Sequence, residues 1–343
     1  MSAELRESES PDEARCVACG RDAESPLAIP LAGWRDVLLR TLGEIDRDNV
    51  VVVSAGVAFF ALFASVPALV ALVSVYGLVS TPEVVAEQVA AALPMLPAEA
   101  RALMEQALEQ AVAQSRGTLS AGALTGIGVS IWTASRGTRA LLRAIDIAYD
   151  EDQKRGLIRG NAMAYAFTLG VIVSAIVSFS SVVVLPMMLQ SLGMASVGAL
   201  VAAYVRWPLL FTFVSGSLAI LYRYGASRRP PKWRWVWVGA VTATTLWLLS
   251  SMVMSAYLSS MLMRSAAYGQ LGAVLILLLW LYVSSFVVVM GAELNAELEH
   301  QTRVDTTVGP ERPMGERGAH VADNLGACRT FPRWRGSSGT PRI

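Results

Sequence analysis

Histidine and cysteine are scarce in this chain, two and three among 343 residues. Three cysteines exclude a disulfide-scaffolded fold, and two histidines leave little material for a metal enzyme. Charge is scarce as well. Asp, Glu, Lys and Arg make up 16% of the residues, against about a quarter in soluble domains, which argues against a water-soluble globule. Neither sign dominates: 28 Lys and Arg face 27 Asp and Glu, so no global basic field points to nucleic acid. Recognisable catalytic motifs are missing too. The chain has no Gly-rich phosphate loop with Lys and Ser/Thr, no His-Glu-x-x-His and no nucleophile elbow. No internal repeat is clear enough to define inverted halves, an absence that weighs little because such symmetry is often faint.

The chain has instead an abundance of apolar residues, 54% in all, and long stretches without a charge. These are Val50–Pro82, Gly117–Ser135, Gly160–Val205, Trp207–Tyr222, Trp235–Met263 and Ser265–Ala292. About 20 apolar residues suffice for a helix to cross a hydrocarbon core, and only helices satisfy every backbone group within such a segment. The runs predict membrane spans near 52–78, 118–136, 162–187, 206–224, 236–260 and 270–292. The fourth is short, with uncharged helix of roughly 24 Å between Arg206 and Arg223. Both arginines can snorkel to the interfaces, with Trp207 and Tyr222 as anchors. In the alternative the span begins near Val197 and Arg206 lies within the membrane, where its cost would imply function.

Basic residues orient the bundle. The segment between the first two spans holds Arg101 and Arg116 against Glu83, Glu87, Glu99, Glu105 and Glu109. The next connection holds Arg136, Arg139, Arg143, Lys154, Arg155 and Arg159, and the one after the fourth span Arg223, Arg228, Arg229, Lys232 and Arg234. Only Arg264 precedes the last span. This alternation fits six helices with both termini in the cytoplasm. Residues 1–30 are polar and acidic, without a leader pattern, and read as a disordered tail. Leu31, Trp34, Leu38, Leu42 and Ile45 recur at helical spacing, predicting an interfacial helix. An outer amphipathic insertion is expected over 82–116, and a second disordered tail over 303–343.

Candidate chemistry is thin. Cys16 and Cys19 form a Cys-x-x-Cys, but a structural zinc site needs four ligands. The remaining candidates, His300, His320 and Cys328, lie near the opposite terminus, so a pair of inert tail thiols is the expectation. Gly122, Gly126, Ser130 and Ala134 recur every four residues, a row suited to close helix packing. Pro67 falls within the first span and is a candidate kink. The sharpest constellation lies at inner helix ends. Arg136, Arg139 and Arg143 follow the second span; Glu293, Asn295 and Glu297 end the last. Carboxylates near a helix C-terminus oppose its dipole and should find cations, so Glu293 is expected to pair with Arg136 or Arg139. The alternative leaves all of them as solvated helix ends.

These motifs resemble the YihY/BrkB family of bacterial membrane proteins over roughly 34–300. The similarity runs through Ala55-Gly56-Val57-Ala58-Phe59-Phe60-Ala61-Leu62-Phe63 with Pro67, Ser135-Arg136-Gly137, and Leu221-Tyr222-Arg223-Tyr224. It is strongest at Tyr268-Gly269-Gln270-Leu271-Gly272-Ala273, Leu279-Trp280-Leu281-Tyr282 and Gly291-Ala292-Glu293-Leu294-Asn295-Ala296. Asp146 stands where the family often has Asn, and the Pro that usually follows the fourth helix is displaced to Pro230 and Pro231. The resemblance implies an all-α, polytopic bundle of six transmembrane helices in the bacterial inner membrane, here over 31–302. It implies no settled activity. Some members carry a ribonuclease label, which the missing hydrolytic motif argues against. The expectation is a non-enzymatic protein without cofactor, metal or nucleic acid, surrounded by membrane lipids and moving a lipid or small molecule linked to the cell envelope. The alternative is a non-catalytic envelope scaffold.

Overall fold

The structure, a computed structural model, describes residues 19–77, 121–152, 155–179, 193, 194, 196, 204, 206–262 and 269–327. The insertion expected over 82–116, Cys16, Cys328 and Tyr268 lie outside them. Every long element among the described residues is a helix, and no strand is formed there beyond one isolated bridge between Pro231 and Thr307. In chain order the helices are α1 (Leu31–Arg47), α2 (Val50–Gly77), α3 (Ala121–Ala148), α4 (Leu157–Phe179), α5 (Arg206–Tyr224), α6 (Trp233–Leu262), α7 (Gly269–Glu299) and the single turn α8 (His320–Asp323).

Each of the charge-free runs contributes a long helix among the described residues, since an uncharged apolar segment satisfies its backbone groups most fully within a helix. By length and apolarity, Trp233–Tyr257 and Val274–Glu299 are long enough to cross a membrane. The pair Leu31–Arg47 and Val50–Ser65, bent by 63°, qualifies as a third if counted as one broken span. The bend is made at Asn49, whose φ of 50° is left-handed, a conformation Asn tolerates better than most residues. Pro67 lies inside α2, which continues past it to Gly77.

Helix ends depart from the expected spans where polar residues carry on the helical pattern. The second span was expected to stop near 136, with a separate amphipathic stretch following. Instead α3 runs unbroken through Arg136, Gly137 and Arg139 to Ala148. Helix α1 forms as expected, but its polar side faces the protein. Asp36, Arg40 and Thr41 are buried, while Leu31, Leu38 and Leu42 are exposed. An apolar face turned outward is what an interfacial helix presents to lipid.

Successive long helices alternate in direction, so the N-termini of α2, α4 and α6 meet the C-termini of α3, α5 and α7 at one end. Arg155 donates to the carbonyls of Gly225 (2.9 Å), Tyr224 (3.0 Å) and Ala226 there, capping α5. Helix α2 packs most extensively on α3, and α7 lies against α2, α3 and α6. The core joins Val57, Leu142, Ile145, Tyr149, Tyr222, Val236 and Val289 across these helices. Around it, Phe59, Phe63, Val173, Leu249, Met252, Val253 and Leu275 are exposed. That is the inverse of a water-soluble surface.

The tails expected to be disordered are ordered wherever they are described. Residues 19–30 lay Ala23 and Ile29 against Trp235, Leu294 and Leu298. Cys19, expected as an inert thiol in a loose tail, is fully buried and disulfide-bonded. Residues 303–327 fold through polar side chains rather than an apolar core, which is why hydropathy does not reveal them. Asp305 accepts from the backbone N–H and hydroxyl of Thr307 (2.9 and 2.8 Å) and the N–H of Arg312 (3.0 Å). Although burial works against it, these donors hold the Asp305 carboxyl below its usual value. Asp323 accepts from the N–H groups of Gly315, Arg317 and Gly318. Arg317 reaches the carbonyls of Arg303 (2.7 Å) and Ala322 (2.8 Å).

Candidate functional site

The last helix carries its polar residues into the most enclosed part of the molecule. All nine residues from Gly291 to Glu299 are buried. Asn295 explains how α7 and α6 come so close. Its Oδ1 accepts from the backbone N–H of Gly239 (2.8 Å), and its Nδ2 donates to the Val236 carbonyl (3.2 Å). A Cβ on Gly239 would stand 2.1 Å from the Gly291 carbonyl oxygen, and one on Gly291 would stand 2.5 Å from the Tyr222 hydroxyl. The crossing therefore requires glycine on both helices. Tyr222 donates across it to the Val288 carbonyl (2.8 Å).

The carboxylates of this helix do find cations, but not the expected ones. Glu297 accepts from Nε of Arg40, on α1, and both side chains are buried. The same guanidinium donates to Gln301 Oε1 (2.8 Å) and to the Glu297 carbonyl (3.1 Å). Glu299, not singled out from the sequence, takes a two-pronged bond from Arg228 (2.6 and 3.1 Å), with both side chains fully buried. Arg228 also stacks over the Tyr149 ring at 4.0 Å, and Thr306 donates to Glu299 at 2.6 Å. Burial disfavours the charge on Arg228, but Glu299 outweighs it and raises the guanidinium's pKa.

Among the described residues Glu293 has no arginine partner. It is 2% exposed and its Oε1 has no hydrogen-bond partner. The nearest charged neighbour of its carboxyl is instead Asp48, at the bend between α1 and α2. Burial first, then the charges of Asp150 and Glu44, push Asp48 up to about 6. The pair expected between Glu293 and Arg136 or Arg139 is therefore not formed. Arg136 is exposed and lies over the Trp132 ring at 4.5 Å. Arg139 is half-buried with an unpartnered Nε, and Arg143 is exposed. Spaced i, i+3 and i+7, the three share one face of α3, and that face stays largely open rather than closing on Glu293.

The two terminal segments close over the end of α7. Gln301 donates to the Cys19 carbonyl (2.6 Å), and Thr302 to those of Ala23 (2.8 Å) and Arg21 (3.2 Å). Arg21 returns bonds to the carbonyls of His300 (3.1 Å) and Gln301 (3.2 Å). This closure assembles what the sequence alone argued against. His300, His320 and Asp150 each place a potential ligand atom within 4.8 Å of the others. Separation along the chain hid them: 20 and 150 residues apart, they meet only because α3 and α7 end together and residues 303–320 fold back. A pocket of about 390 Å³ adjoins them, lined by Asp150, Glu151, Asp152, Glu316, His320 and Asp323 among others.

The model of the family described as virulence factor BrkB matches residues 41–315. The chain is 30% identical over 266 residues to the ribonuclease-like protein YfkH of Bacillus subtilis (strain 168), covering 73% of this chain and 90% of that protein. It is 33% identical over 101 residues to a UPF0761 membrane protein of Idiomarina loihiensis, covering 29% of this chain and 34% of that one. A UPF0761 membrane protein of Delftia acidovorans is 30% identical over 105 residues, 31% of this chain and 24% of that protein. No solved structure matches the chain.

Proposed function

The chain belongs to the virulence factor BrkB family of membrane proteins, and from that premise we propose that it moves a lipid or small molecule across the bacterial inner membrane. In this reading α2 to α7 are six spans, and the arginine-rich end of the bundle, with both termini, faces the cytoplasm. Supporting the even count, the two terminal segments hydrogen-bond to each other, as in the bond from Arg303 N–H to the Arg21 carbonyl (2.8 Å).

The observation that carries the reading is Glu293. A buried carboxyl with an oxygen left unpartnered, on a helix long and apolar enough to cross a membrane, marks function before structure. Its neighbour Asp48 sits at the bend between α1 and α2. Protonating or deprotonating this carboxyl pair changes the repulsion across that joint, a means of coupling proton binding to movement of α1. The cargo class remains lipid or small molecule because both would use a path along α7.

Purified protein reconstituted into phosphatidylethanolamine and phosphatidylglycerol vesicles tests this. Wild type is expected to flip a fluorescent phospholipid or exchange a panel of small solutes, and Glu293→Gln to lose at least tenfold in rate. Vesicles that behave as protein-free ones do for every probe would remove the reading. The closed plate of terminal segments favours a second one, a scaffold without chemistry, whose mark would be a protein partner that stays bound through extraction. RNA cleavage by metal-loaded protein would replace both.

A further inference from the structure

His300 is held by the same carboxylate that binds Arg40. Its Nδ1 lies 3.4 Å from Glu297 Oε1, leaving Nε2 as the nitrogen free to bind. That Nε2 is buried and has no hydrogen-bond partner, an arrangement folded proteins avoid because a buried polar atom left unsatisfied forfeits its hydration without a replacement. A ring oriented by a carboxylate on one nitrogen, with the other nitrogen bare, is how metal-bound histidines are held. Beside it, His320 Nδ1 stands 3.8 Å from Asp150 Oδ2. That is too far for a hydrogen bond and leaves a gap between two donors. The two imidazole rings meet edge to face with centroids 6.2 Å apart.

We propose that Asp150, His300 and His320 bind one divalent transition-metal ion of the zinc class at the polar end of the bundle. Two imidazoles and one carboxylate form a borderline nitrogen and oxygen set, suited to zinc and its neighbours rather than to calcium or magnesium. In a tetrahedral zinc site the donors stand roughly 3.4 Å apart. The spread of up to 4.8 Å closes by small side-chain rotations, for which Asp150 and His320, each 49% exposed at the side chain, have room. The acidic pocket lined by Asp150, Asp152 and Asp323 supplies an entry path that attracts cations. Three protein ligands leave a fourth position for water or a ligand. The ion joins the end of α3, the end of α7 and the C-terminal segment at α8, so binding it fastens that segment to the bundle.

The test uses the full chain, without a polyhistidine tag, extracted in detergent and stripped with a chelator. Zinc is titrated with elemental analysis of the retained metal, and cobalt as a spectroscopic probe. Wild type is expected to retain about one equivalent, to gain thermal stability with zinc, and to give cobalt bands free of thiolate charge transfer. His320→Ala is expected to bind at least tenfold more weakly. Asp150→Asn is expected to do the same, and it suits the left-handed φ of 51° at that position. Glu311→Gln, at an exposed carboxylate outside the pocket, keeps wild-type affinity. Absence of stoichiometric metal, binding unchanged in both ligand variants, or thiolate bands showing that the metal sits on the cysteines would each overturn the proposal.

Discussion

Single residues at the end of α7 show how far charge rules reach. A carboxylate opposing a helix dipole needs a cation, and Glu297 and Glu299 each have one. Which cation was not legible. Arg40 lies 257 residues from Glu297, and Arg228 lies 71 from Glu299, separations that periodicity cannot bridge. Glu293 took a second carboxyl, Asp48, in place of an arginine. That choice makes a pH prediction. Asp48 is pushed up to about 6 by burial and then by Asp150 and Glu44, against about 3.9 in an unfolded chain. Between those values the folded protein keeps a proton that the unfolded chain has released, so stability falls as pH rises through the window. Thermal unfolding of chelator-treated protein from pH 4 to pH 6.5 should show this decline, and Asp48→Asn should flatten it. An unchanged slope in the variant would return Asp48 to an ordinary solvated carboxylate.

At the scale of elements, helix identity was read from charge-free runs, while helix packing was not. The small-residue row on α3 drew attention in the sequence, yet the described close approach on that helix is at Gly137, whose Cβ would meet Ala64 at 3.3 Å. The tightest crossing is that of Gly239 with Gly291, where α6 and α7 touch backbone to backbone. Gly239→Ala should therefore overpack the crossing and lower stability by about 1–3 kcal/mol or more. Gly56→Ala, where a Cβ meets nothing within 4 Å, should be neutral or gain up to about 1 kcal/mol from helix propensity. Thermal unfolding in detergent compares the two. Equal midpoints would mean that the helices can separate at no cost. Helix α1 teaches the complementary lesson: its apolar stripe was legible, but only packing shows that the polar stripe, through Arg40, holds the protein.

The molecule as a whole is divided between an apolar belt and a polar end. Exposed Phe63, Met252, Val253 and Leu275 have no favourable contact with water, so lipid is the surrounding they suit. After an alkaline carbonate wash the protein should remain in the membrane pellet and leave it only with detergent. Release by carbonate alone would contradict a membrane-embedded fold. The polar end behaves differently. Its arginines, carboxylates and terminal segments form a hydrogen-bonded layer whose stability comes from partners satisfying one another rather than from apolar burial.

That division explains what each source of information decided. Absence of charge over long runs determined the helices and their lipid surroundings, because an apolar helix needs no knowledge of its neighbours to be favourable in a membrane. Polar contacts carry no such local signature. A guanidinium or an imidazole is satisfied by whichever group the fold brings within about 3 Å. The tertiary structure alone therefore chose Arg40 for Glu297, Arg228 for Glu299 and Asp48 for Glu293, ordered residues 19–30 and 303–327, and gathered His300, His320 and Asp150.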